Sequence, residues 1–476
     1  MFRTKTLSAL ASIAVLSSQI GGCSGGDNPT EQQNAQKADS RMSDARTTDA
    51  QASGNTGEST LTDGTAKNLV LFVGDGMGIS TITAARIHEG QKAGRDGESN
   101  RLSFERFPHV ALVTTYNYDA QVADSAGTAT QMMSGYRTRI GQINVTPDMP
   151  EGGLLAWCTA DMPPNLLERA KAAGKRVGAV STARITHATP AAVFAQVPDR
   201  GWEAPGAITE EARAAGCTSI AEQLLASDMD LALGGGARAF EGLDISAAAT
   251  TRDEMLALPE GEPALGLFTD SHMAYEADRD NAVEPSLAEM TKFAIDRLDN
   301  PDGYVLMVEA GRIDHAHHGT NAFRALEDTI ALSEAVEAAV EAAGDDTLIL
   351  VTADHSHVFT IAGYPARGNP ILGHAHGLDE ESRLRDDEPL LDLDGDPYTT
   401  LGYYNGGSPT DQNLAPEDPD YRQRVAVRLR SETHAGEDVA LYATGPGSER
   451  VRGAMDQTEI ADVIDAALGL DSSGRE

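Results

Sequence analysis

Four short apolar runs punctuate the chain, at residues 69–73, 177–180, 305–308 and 348–351. Each is bounded by polar residues or glycine and reads as a buried strand of a parallel sheet. Helix-period segments lie between them. Residues 165–174 and 210–227 show that period, punctuated by Gly174 and Gly216. Residues 322–343 predict a long amphipathic helix ending at Gly344. Strands alternating with helices predict an α/β fold with a mostly parallel sheet. From 363 to about 430 the pattern changes to Gly, Pro, Asp and Tyr with few clean periods, which reads as an insertion. The strand pattern resumes at 440–443, and there is no internal repeat.

The polar residues after each strand carry the chemistry. The first run is followed by Gly74-Asp75-Gly76-Met77-Gly78, the second by a loop with His187 and Thr189. The third ends at Glu309, with Asp314, His315 and His318 just beyond. The fourth ends in Asp354-His355-Ser356-His357. Ligands of open α/β sheets bind at that edge. Asp314 and His318 are four apart and share one face if a helix starts there, so they can hold one ion. Asp75, Glu309, Asp314, Asp354 and His355 together predict a polynuclear site. Its mixed N/O donors suit zinc, and its oxygen-rich part suits magnesium. The glycines around Asp75 fit neither the dinucleotide fingerprint nor the P-loop, so they read as room for Asp75 to approach metals.

Ser125, in Val122-Ala123-Asp124-Ser125-Ala126-Gly127, is the nucleophile candidate. Small helix formers follow it, which predicts a helix N-terminus, where an alkoxide and a bound phosphate are favoured. A plain N-cap serine is the alternative. No Gly-x-Ser-x-Gly elbow surrounds it, so activation would fall to a metal.

Composition adds a compartment. Residues 1–22 carry Arg3 and Lys5 and then a short apolar stretch, which reads as a secretory signal. It ends in Ile20-Gly21-Gly22-Cys23, resembling a bacterial lipobox with Cys23 lipidated; the alternative is a chance cysteine after an ordinary signal. Residues 23–66 lack aromatic residues and read as a flexible tether reaching roughly 35 Å. The expected location is therefore exported, lipid-anchored to a bacterial membrane and facing the periplasm or the exterior. Cys158 and Cys217 remain for the folded domain, as one disulfide or as two buried thiols. The net charge of −36 argues against a nucleic-acid or anionic-lipid surface. An anionic substrate would then need a locally positive site, which clustered metal ions provide.

In their order these motifs resemble an alkaline phosphatase, over about residues 67–467 and in the manner of the animal tissue-type branch. The resemblance rests on Asp75 in Val-Gly-Asp-Gly-Met-Gly, Asp124-Ser125-Ala126, Thr186-His187-Ala188-Thr189-Pro190, the run from Glu309 to His318, Asp354-His355-Ser356-His357 and Glu432-Thr433-His434. It implies a three-layer α/β/α catalytic domain at 67–470, with a crown-like insertion at 363–430 and a homodimer. It implies two zinc ions, one on Asp314, His318 and His434, the other on Asp75, Asp354 and His355 near Ser125. It implies one magnesium ion on Asp75, Thr189 and Glu309. Arg200 would clamp the phosphate, with Asp124, His187 and His315 around the ligands and a Cys158–Cys217 disulfide. Small phosphomonoesters would be hydrolysed through a phosphoserine at Ser125. The alternatives are a phosphodiesterase or sulfatase of the same superfamily, or a lipoprotein that only binds metal or phosphate. One departure stands out. Animal enzymes hold a structural calcium partly through an acid after a Leu-Phe pair; here Thr269 follows Leu267-Phe268, so that calcium set is incomplete, although Glu284 is acidic where those enzymes have another ligand.

Overall fold

A computed structural model describes residues 65–407 and 413–472. The signal segment, Cys23 and the tether before residue 65 lie outside them. The core is a nine-stranded sheet. Its strands are β1 (Asn68–Gly74), β2 (His109–Thr114), β3 (Arg176–Arg184), β4 (Leu231–Gly235), β5 (Ala264–Leu267), β6 (Tyr304–Ala310), β7 (Thr347–Ala353), Val439–Thr444 and Gly453–Asp456. From β7 the parallel order runs β7-β1-β6-β3-β4-β5. All four predicted runs fall in it. Beyond β7 lies Val439–Thr444, antiparallel to both its neighbours, β7 and β2. Gly453–Asp456 closes the edge, parallel to β2.

Every residue of β1, β6 and β7 is buried, as expected for apolar strands covered on both faces. The helix Ala322–Ala342 packs on β1 and β6, and Leu287–Leu298 packs on β3 and β6. Register matters most for the site. Gly74 pairs with both Ala310 and Ala353, so β1, β6 and β7 end level, and Ser181 of β3 pairs with Glu309. Asp75, Glu309 and Asp354 therefore arrive together at one edge.

Two sequence expectations change in detail. The 210–227 segment is two helices, Glu210–Ala214 and Ile220–Ala226. Gly216, at φ +93°, ends the first, and a Ser219–Glu222 capping box starts the second. The described residues of the 363–430 segment stay outside the main sheet. It holds a hairpin of His376–Leu378 with Leu384–Pro389, and a strand, Leu401–Gly406, between Phe359–Ile361 and Val425–Arg428. Cys158 and Cys217 form a disulfide, and a small apolar cluster with Trp202, Ile208 and Ala212 surrounds it. Among the described residues no helix is long and apolar enough to cross a membrane.

Candidate active site

Asp75 leaves β1 into a tight turn. Gly76 adopts φ +70°, and a Cβ there would lie 2.3 Å from the His357 ring, so only glycine fits. Gly76 N–H donates to Asp354 Oδ1 at 2.9 Å, and so does the His355 N–H. That leaves Asp354 Oδ2 buried and free of hydrogen bonds. Beyond β6, the helix Arg312–His318 places Asp314 and His318 on one face, as their spacing predicts. Ser125 is the first residue of a helix, α1 (Ser125–Ser134), but not its cap. Asp124 caps it, accepting from Gly127 N–H at 3.2 Å, from Asn117 at 2.8 Å and from Arg200 Nη1 at 3.1 Å. The Ser125 hydroxyl is thereby released to face His355 Nε2 at 3.2 Å.

Three donor groups emerge. Asp314 Oδ1 lies 3.3 Å from both His318 Nε2 and His434 Nε2, and those nitrogens are 3.1 Å apart. A tetrahedral zinc with bonds of about 2.0–2.1 Å sets its ligand atoms about 3.3 Å apart. The other ring nitrogens are tied to backbone carbonyls, His318 Nδ1 to Glu432 and His434 Nδ1 to Ala123, both at 2.8 Å. Each therefore turns a lone pair on Nε2 inward. In the second group, His355 Nε2 is 3.2 Å from Asp354 Oδ2 and 3.5 Å from Asp75 Oδ1. Asp314 also lies within 4.8 Å of Asp75 and His355, so the first two groups adjoin. The third group joins Asp75, Glu309 and His187 within 4.8 Å. A Ser181 hydroxyl holds Glu309 Oε2, and the Thr189 hydroxyl stands beside it.

The electrostatics call for cations. Burial pushes the Asp75 carboxyl well above its ordinary range, with Asp354, Asp314 and Glu309 adding to it. Burial pushes Glu309 up to about 7 against the Ser181 hydroxyl, and raises Asp354 too. Burial would lower the His357 imidazole, but Asp314 and Glu432 on either side hold it at about 10. Both Asp75 oxygens, Glu309 Oε1, Asp354 Oδ2 and Thr189 Oγ are buried without hydrogen-bond partners. Unpaired buried carboxylates are expensive, and divalent ions bound by N/O donors are the partners that fit them.

Every ligand predicted from the sequence reaches this edge. Arg200 comes as well, with Nη2 at 3.2 Å from His187 Nε2. His187 sits closer to the third group than expected. His315 packs against His272 with the rings tilted by 55° and their centres 4.0 Å apart, and burial lowers its pKa to about 4. His357 and Glu432 also join the site; both lie within the motifs quoted above, but the sequence alone assigns them no role. At the calcium departure, the Thr269 carbonyl accepts from Gly236 and Ala237, and Glu284 accepts from Ala274 N–H at 2.9 Å.

The family model for alkaline phosphatase matches residues 66–253 and 245–470. The chain belongs to the alkaline phosphatase family. It is 39% identical over 449 residues to the tissue-nonspecific isozyme of Gallus gallus, covering 84% of each chain. To the human isozyme it is 38% identical over 453 residues, covering 85% of this chain and 84% of that one. Alkaline phosphatase of Gadus morhua is 36% identical over 448 residues, 84% of this chain and 91% of that one. Two solved bacterial structures share the fold. The Thermus thermophilus alkaline phosphatase has a TM-score of 0.62 at 24% identity, covering 89% of this chain and 96% of that one. The enzyme of the Antarctic bacterium TAB5 has a TM-score of 0.60 at 22% identity, covering 86% and 100%. An alkaline phosphatase is a metal-dependent phosphomonoesterase, and three clusters of buried and half-buried donors here are able to hold metal.

Proposed function

We propose that the chain hydrolyses phosphate monoesters through a phosphoserine at Ser125, using two zinc ions and one magnesium ion. Asp314, His318 and His434 hold one zinc, and Asp75, Asp354 and His355 hold the other. Asp75, Thr189 and Glu309 hold magnesium. The observation that carries this reading is the Ser125 hydroxyl, 3.2 Å from His355 Nε2 and freed from capping by Asp124. When bound, the ions lower the pKa of the serine hydroxyl and offset charge on the entering and leaving oxygens. Ser125 Oγ attacks phosphorus in line, and the alcohol leaves from the opposite side. Water then cleaves the Ser125 ester and releases phosphate. The free N–H groups at the start of α1 favour the bound phosphate. Asp124 and His187 each engage one Arg200 terminal nitrogen. The remaining N–H donors are left for two phosphate oxygens. Ser125 lacks the Cys/Ser-x-Pro-x-Arg context of a sulfatase, and Arg200 suits the terminal phosphate of a monoester better than a diester.

Zinc-edge anomalous scattering from crystals tests the metal assignment. Two peaks are expected, one at each zinc set, and a missing peak at either set contradicts it.

His187 bears on the third ion. Imidazole suits zinc, cobalt or nickel better than magnesium. His187→Asp is expected to lower the magnesium midpoint for activating dialysed enzyme by about 10–100-fold. An unchanged midpoint rejects this.

The proposal extends to location: Cys23 carries lipid and tethers the exported enzyme to a bacterial membrane, facing the periplasm or the exterior. Cys23→Ser is expected to release active, soluble enzyme, and equal membrane association of the two proteins rejects the anchor. We also propose a homodimer with the 363–430 segment as its crown. Tyr364, Leu391 and Leu393 on that segment are strongly exposed, which supports this.

A further inference from the structure

We infer that Glu432 is a positioning residue for the Asp314–His318–His434 metal set, acting on Asp314 through His357 and on His318 through its own backbone. The inference rests on the proposed metal reading and names what holds that set in shape.

Glu432 is buried, and no lysine or arginine is among its hydrogen-bond partners. Its Oε2 pairs with His357 Nδ1 at 2.6 Å, and its Oε1 accepts from Val358 N–H at 2.9 Å. His357 is buried too, and its Nε2 meets Asp314 Oδ1 at 2.8 Å. Both His357 ring nitrogens are thus engaged, which leaves it no lone pair for an ion, although it stands among the ligands. The oxygen it holds is the same Asp314 Oδ1 that lies 3.3 Å from His318 Nε2 and His434 Nε2. His357 therefore selects which carboxylate oxygen enters the set and stops the carboxylate from turning.

The second route is through the main chain. The Glu432 carbonyl accepts from His318 Nδ1 at 2.8 Å, which fixes the His318 tautomer and ring plane. The Glu432 N–H returns to the His318 carbonyl at 3.3 Å. Two residues on, His434 pairs with His357 across a short antiparallel ladder. One buried glutamate thus ties together two of the three ligands and the strand that carries the third. Groups that orient metal ligands in this way commonly set affinity by about 10–100-fold.

The test titrates zinc into chelator-stripped, full-length enzyme against a competing chelator. It compares wild type with Glu432→Gln, His357→Gln and the double variant, alongside the thermal stability of each metal-free protein. Glu432→Gln keeps an acceptor for Val358 but removes the charge. Both single variants are expected to weaken one zinc equivalent by about 10–100-fold, and the double variant to be no weaker than the worse single. Cobalt at that site should show a shifted visible spectrum. If Glu432→Gln lowers metal-free stability but leaves the zinc midpoint and the cobalt spectrum of wild type, Glu432 is only structural and the inference is overturned. If Glu432→Gln fails to fold, His357→Gln alone decides by the same two readouts. If Asp314→Asn binds zinc like wild type, the metal reading itself fails and the inference falls with it.

Discussion

Ser125→Ala is expected to slow phosphomonoester turnover by about 10³-fold or more and to form no acid-stable phosphoenzyme, while retaining its metals. The reason is local. Asp124 performs the capping and carries the contact to Arg200, so removing the serine oxygen disturbs neither the start of the helix nor the arginine. None of the buried donors that lack partners belongs to Ser125. A slow residual hydrolysis by water at the metal site is expected to survive. Steady-state kinetics with zinc analysis of the same sample checks this. Full activity in the variant contradicts it.

Asp75→Asn is expected to act in opposite directions on the metal-free and metal-loaded protein. Asp75 adjoins the second and third donor groups, so its loss should weaken metal binding by more than about 100-fold, and activity should fall with it. In the metal-free protein the sign reverses. Burial and three neighbouring carboxylates hold the Asp75 pKa above its ordinary value, so the folded state binds more protons than the unfolded state. Stability of the metal-free fold therefore falls as pH rises above the ordinary carboxyl range. Glu309 has the same sign, and its ordinary value of 4.5 and folded value of about 7 define a window for that fall. Asp75→Asn removes one of these charges and should raise the melting temperature of chelator-treated protein at pH 8. Metal-loaded wild type should melt above the metal-loaded variant. Calorimetry with and without chelator reads both. A metal-free variant that melts below metal-free wild type overturns the electrostatic account.

The donor edge was legible in the sequence because apolar runs and polar termini mark strand ends. Asp75, Glu309 and Asp354 each follow a run that is buried throughout, and level register then brings them together. Asp314 and His318 needed only helical spacing. What pattern reading missed has physical causes. Val439–Thr444 reads like the other strands, since the direction of a strand leaves no trace in its side chains. The split of 210–227 depended on a cap at Ser219 that periodicity does not report. His357 and Glu432 are 75 positions apart, and only the fold brings them together. The approach of His187 to within 4.8 Å of Asp75 and Glu309 arises where the turn after β3 meets the ends of β1 and β6, a proximity no local motif encodes.

The most direct test is peptide mapping by mass spectrometry of enzyme quenched in acid during turnover of a simple phosphomonoester. The account predicts one phosphate on the peptide containing Ser125, absent after chelation and restored by zinc with magnesium. Phosphate on another residue, or none at all while the metal-loaded enzyme turns over, would contradict it.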